Sequence, residues 1–204
     1  MRILEAITPR RFTLLALVCE LSLGGLGLLL SWKWGRWPPP FGDNAAVWSW
    51  IGQMALGAVC ALPLLGGLVW MERHPIGMLR ELMRVVAEEV VPLFRDVSVP
   101  GLLAISLAAG VGEELLFRGF LQAVLTDHWA GPIGILAGLL IASIVFGLCH
   151  ALCWGYAVVA TLIGLYLGVL FLVTDSLWAP LTAHAVYDFC ALVHMLRRES
   201  AAGA

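Results

Sequence analysis

Glu113, Glu114, Arg118, His150, His184 and Asp188 are side chains of types that do acid–base or electrophilic chemistry, and all lie within or at the ends of long apolar runs. An ionisable group in hydrocarbon costs at least about 2.5–3.5 kcal/mol for Asp or Arg, so it needs a partner or a function. In Gly112-Glu113-Glu114-Leu115-Leu116-Phe117-Arg118-Gly119, Glu114 and Arg118 stand at i,i+4. On a helix they share a face and can pair, and the arginine fork can hold the carboxylate rigidly. Glu113 is turned about 100° from Glu114 and has no partner in its own helix. A carboxylate so placed suits general acid or base work near neutral pH. Glu114 and Arg118 therefore read as a brace, and Glu113 as the chemistry.

Two further pairs have the same spacing. Phe146 and His150 are i,i+4, as are His184 and Asp188, so Asp188 can orient or acidify His184 or serve beside it. One histidine in an apolar helix is more often a satisfied core residue than a ligand. Three such motifs together point to one site where a carboxylate and two imidazoles meet.

The elements that must position them are membrane helices. Apolar types make up 61% of the 204 residues and charged types 13%, too few to cover a water-facing surface. No Asp, Glu, Lys or Arg lies between Asp43 and Glu72, or between Asp127 and Asp175. A span takes about 20 apolar residues, so the first gap fits one helix and the second fits two. The predicted fold is all-α: a polytopic transmembrane bundle of about six helices, near 12–32, 45–71, 99–125, 132–152, 155–174 and 177–196, with one amphipathic interfacial helix. It reads as a single membrane domain over 1–204, with a catalytic core at about 100–195 and accessory helices and the interfacial segment at 1–99. Collagen-like, disordered and disulfide-scaffold classes are excluded. A net charge of -2 gives no basis for nucleic-acid binding.

The amphipathic helix is expected within 72–98, where arginines alternate with acidic residues and Leu79, Leu82, Met83, Val86 and Val90 form one stripe. That stripe can lie in the membrane surface or pack on the bundle. Trp32-Lys33-Trp34-Gly35-Arg36-Trp37-Pro38-Pro39-Pro40 reads as an interfacial loop, because tryptophan favours the headgroup layer and prolines stop a helix. The first apolar run is longer than a signal peptide's and lacks an Ala-x-Ala exit, so a retained anchor is expected. Cys19, Cys60, Cys149, Cys153 and Cys190 are expected to be buried and reduced. Nine basic residues fall in three segments on one side of a six-helix arrangement (Arg2, Arg10 and Arg11; the four arginines of 72–98; Arg197 and Arg198), against Lys33 and Arg36 on the other. The positive-inside rule then puts both termini in the cytoplasm.

The three motifs resemble the CPBP family of intramembrane proteases, also called the ABI family, which includes CAAX prenyl endopeptidases and bacteriocin-processing proteins. Its pattern of EExxxR, FxxxH and Hxxx(N/D/B) is matched in order by Glu113-Glu114 with Arg118, Phe146 with His150, and His184 with Asp188. The resemblance covers about half the chain. The prenyl-protein branch usually has asparagine where this chain has Asp188, which leans toward the broader prokaryotic family.

That resemblance implies an intramembrane endopeptidase acting on a membrane-bound protein or peptide, one that is lipidated or carries a C-terminal sorting signal. It implies a prokaryotic inner or plasma membrane. Glu113 and His150 would activate water, and His184 with Asp188 would stabilise the oxyanion or protonate the leaving amine, with Glu114, Arg118 and Phe146 in support. No cofactor is expected, with zinc on Glu113, His150 and His184 as the alternative. A non-proteolytic scaffold or bacteriocin-immunity protein of the same fold is the rival reading, and a small transporter with a carboxylate proton relay is a third.

One geometric demand remains. A third helix starting near 99 puts Glu113 about 20 Å from that end, while His150 lies near the same end of the fourth. The two meet only if the third helix starts later than Ser98-Val99-Pro100-Gly101 or the fourth continues past His150, and the later start is the expected resolution.

Overall fold

The computed structural model describes residues 8–37, 39–41, 47–129 and 131–202. Arg2, Asp43 and Pro38 lie outside the described residues. All regular structure among these is helical. We number the helices α1 (Pro9–Lys33), α2 (Val47–Arg73), α3 (residues 78–94), α4 (Val99–His128), α5 (Gly131–Cys149), α6 (Trp154–Thr174) and α7 (Trp178–Ala202).

Five of them, α1, α2, α4, α5 and α6, are long and apolar enough to cross a membrane. The last, α7, is not in that set although the sequence reading counts it as a span. It has the length, at 25 residues, but His184, Asp188, His194, Arg197, Arg198 and Glu199 dilute its apolar character. It is sheltered instead, packed mainly between α2 and α4.

The centre of the bundle is α4, and absent side chains let its neighbours approach. At Gly110 a methyl group would come within 2.9 Å of the Leu181 carbonyl of α7. At Gly112 it would overlap the Glu20 carbonyl of α1. Glu113 is thereby set between α1 and α7. Ser98 caps the helix, its Oγ accepting from Gly101 N at 3.3 Å, so the expected late start is wrong. The fourth predicted helix is also shorter than expected, since α5 stops at Cys149. The two groups meet for a different reason. Counted from His128, Glu113 lies about 23 Å along α4, and counted from Gly131, His150 lies about 28 Å from the start of α5. They share a level because α4 runs well past the end of α5.

The amphipathic segment resolves toward the bundle. Leu82, Val86 and Val91 of α3 pack on Met71, Tyr156, Val159 and Met195, while Glu81, Arg84, Glu88 and Glu89 stay exposed. Residues 86–90 of α3 are wound as a π-turn. Pro92 follows directly, and its missing N–H and bulky ring are incompatible with an uninterrupted α ladder.

Arg198 pairs with Glu72 at 2.5 Å, and Arg95 pairs with Glu199. At the opposite end Arg36 pairs with Asp127. The Arg-rich 72–98 segment and the Arg197-Arg198 end are therefore gathered on one side. Trp32, Trp34 and Trp37 are exposed near the other. All five cysteines are free, but the expectation that they are buried is corrected: Cys19 and Cys149 are exposed and the others half-buried. An exposed position on a membrane bundle faces lipid, so an apolar thiol is as well placed there as inside.

Candidate active site

Arg118 makes the brace. Its Nη1 donates to Glu114 Oε1 at 2.6 Å and its Nη2 to the Gly164 carbonyl of α6 at 2.9 Å, with the two side chains 1% and 0% exposed. Gln122, one turn on, donates to the Gly168 carbonyl at 3.1 Å. Residues 115–122 form a π-segment of α4. A π-turn takes in more than four residues, so i and i+4 come closer to lying directly above one another, and such turns recur at functional sites. Arg118 also lies 4.7 Å from the centre of the Phe146 ring, which links α4 to α5.

The imidazoles are held by their Nδ1 atoms. His184 Nδ1 donates to Glu114 Oε1 at 2.8 Å, and His150 Nδ1 donates to the Phe146 carbonyl at 2.8 Å. Both Nε2 atoms therefore face the centre. His150 Nε2 stands 3.7 Å and His184 Nε2 3.9 Å from Glu113 Oε2, which is buried and has no hydrogen-bond partner. Asp188 Oδ2 lies 3.5 Å from His184 Nε2. The Phe146 ring packs on His150 at 4.5 Å and on His184 at 5.9 Å, and Tyr156 stacks beside His150 at 6.3 Å. The groups open into a cavity of about 260 Å³, polar at Glu113, His150, His184 and Asp188 and apolar where α2 and α3 line it.

All seven residues singled out in the sequence, Phe146 included, are thus brought to one place. His184 is flanked on both sides, by Glu114 at Nδ1 and by Asp188 beside Nε2. The i,i+4 spacing puts Asp188 on the Nε2 side, whereas Glu114 reaches Nδ1 from a neighbouring helix, which spacing within one helix cannot reveal. The sequence reading missed Glu20, which lines the same cavity from α1. Its signal was available, as the one acidic residue inside the first apolar run. Among the described residues no three His, Cys, Asp or Glu side chains close into a metal-holding cluster. No step is drawn through a metal ion.

Residues 95–190 match the family model of type II CAAX prenyl endopeptidase Rce1-like proteins. This segment is similar to that family. Every residue of the site except Glu20 falls inside the Rce1-like segment. Its matched segment is thus similar to CAAX-type intramembrane proteases, and its five long apolar helices are those of an integral membrane protein. Over 99 residues it is 30% identical to the uncharacterized protein YpbD of Bacillus subtilis (strain 168), covering 47% of this chain and 46% of that protein. The chain spans about half the length of this curated relative. No solved structure matches.

Proposed function

We propose that the chain is an intramembrane endopeptidase that hydrolyses a peptide bond of a membrane-associated protein or peptide with a water activated by Glu113 and His150. The observation that carries this reading is Glu113 Oε2, buried without a partner and facing two imidazole Nε2 atoms at 3.7 and 3.9 Å. Such separations are too long for direct hydrogen bonds and suit groups bridged by one water. Because His150 donates from Nδ1 to a carbonyl, its Nε2 in the neutral ring is an acceptor. Glu113 and His150 then accept hydrogen bonds from the two O–H groups of that water and leave an oxygen lone pair free for the scissile carbonyl. Glu113 takes one proton as the C–O bond forms. The C–N bond breaks as the nitrogen is protonated, giving a carboxylic acid and an amine.

His184 serves the developing oxyanion. As an imidazolium it donates from Nδ1 to Glu114 and from Nε2 toward the substrate oxygen, and a preorganised donor of this kind is worth about 2.7–4 kcal/mol. Asp188 acts through His184, or as the protonated acid, since a bare carboxylate would repel the oxyanion. The reaction as drawn uses no metal. Both termini face the cytoplasm of a prokaryotic cell, and the substrate is lipidated or carries a C-terminal sorting signal.

New protein termini mapped in membranes of host cells carrying wild type or Glu113→Gln test the reading. Termini that form only with wild type, at equal protein abundance, are expected and would reveal the cleavage site. Their absence with candidate substrates expressed favours a scaffold. Chelation should leave the cleavage intact. Zinc retained in active protein, lost together with activity and restored with it, would overturn the metal-free mechanism.

A further inference from the structure

Glu20 is outside the matched segment and outside the three motifs, yet it faces the reacting groups. The Gly112–Glu20 backbone contact brings α1 against α4 one residue before Glu113. The Glu20 side chain lines the same cavity as Glu113, His184 and Asp188, and lies close enough to Asp188 and His184 for their charges to act on it. Its Oε2 is buried and has no hydrogen-bond partner. Glu113 Oε2, in a side chain 9% exposed, is the second orphaned oxygen of this cavity. Orphaned buried carboxylate oxygens are costly unless something completes them. Among the described residues lining the cavity there are three carboxylates, Glu20, Glu113 and Asp188, and no lysine or arginine. Arg118 is spent on Glu114 and Gly164, outside the lining.

We propose that Glu20 binds the amino side of the cleaved bond, so that the site favours an uncharged or cationic residue just after the cut and rejects an acidic one. The inference rests on the hydrolase reading above. Water adds its oxygen to the carbonyl carbon, the C–N bond breaks, and the nitrogen leaves as an amine that gains a proton. Glu20 is the carboxylate that accepts hydrogen bonds from that nitrogen. Asp188 is held beside His184 Nε2 at 3.5 Å and Glu113 is engaged with the water, which leaves Glu20 for this role. Discrimination then comes from repulsion as much as attraction, since a substrate carboxylate would enter a cavity lined by three acidic side chains and by no lysine or arginine.

The test uses peptides copying a cleavage site mapped in wild-type membranes, with Lys or Glu as the residue just after the cut, and full-length protein in liposomes. Wild type should cleave the Lys peptide at least about tenfold faster, at low concentration, than the Glu peptide. Glu20→Gln should reduce that ratio to within about twofold, and Glu20→Asp should keep most of it. A structural role alone would lower both rates and leave the ratio unmoved, and that result overturns the proposal. A second measurement needs only wild type. The amine product fragment should inhibit at about tenfold lower concentration than its N-acetyl copy, and equal inhibition overturns the proposal even if Glu20→Gln fails to fold. If wild type cleaves nothing and Glu113→Gln looks the same, the hydrolase reading has failed, and the Glu20 proposal fails with it. If wild type cleaves and Glu20→Gln keeps the preference, only the role of Glu20 is lost.

Discussion

Glu114 has two partners where the sequence suggested one, and this decides what each substitution around it should do. Its Oε1 accepts from Arg118 Nη1 and from His184 Nδ1. Arg118→Ala removes one of these bonds and the bond to Gly164, and leaves a carboxylate that is 0% exposed. Stranding a buried charge costs about 3–5 kcal/mol, so the protein level in membranes should fall sharply. Arg118→Lys keeps the charge but cannot reproduce a fork that serves two acceptors, and its level should fall between the two. Quantitative blotting alongside detergent melting checks both. Normal folding and full activity of Arg118→Ala would show that the pair is no brace. The i,i+4 pairs were legible because helical spacing fixes which neighbours share a face. The Glu114–His184 bond was not, because it joins residues 70 apart through helix packing.

At the scale of the helix, a missing side chain does as much as a present one. Gly112 lets α1 touch α4, and that contact carries Glu20 to the cavity. Gly112→Ala should push α1 away, at a cost of about 1–3 kcal/mol for overpacking. Protein level and cleavage should both drop, whereas Ala at Gly66, where a methyl group meets nothing within 4 Å, should change neither. Comparable melting of the two variants would place the tight contact elsewhere. Helix number and approximate ends were readable from apolar runs and prolines, whereas the Ser98 cap was passed over in favour of a later start. The relative depth of α4 and α5 was not, because the expected helices, 99–125 and 132–152, understated how far α4 outruns its neighbour at 30 residues against 19. The fate of the α3 stripe was also closed to sequence, since lipid and protein offer an apolar face the same environment.

Across the whole molecule, charge separates the two ends. Arg95 and Arg198 meet Glu199 and Glu72 at one end, and Arg36 meets Asp127 at the other. The proposed orientation, with the Arg-rich end in the cytoplasm, predicts that a C-terminal fluorescent fusion that folds only in the cytoplasm will be bright. An exported phosphatase fused at the same place should be inactive. The opposite pattern would invert the topology and put the substrate's entry on the other side.

The length of α4 has a mechanical consequence. At 30 residues it is about 45 Å long, beyond the roughly 30 Å of a bilayer's hydrocarbon core. Hydrophobic mismatch of this size is relieved by tilting or by local thickening of the lipid. Glu113 stands midway between Val99 and His128, at the pivot of any such tilt. Thicker or thinner membranes would swing the ends of the helix while the carboxylate stays near the midplane, so acyl-chain length should act on substrate entry at the rim far more than on the hydrolytic step itself.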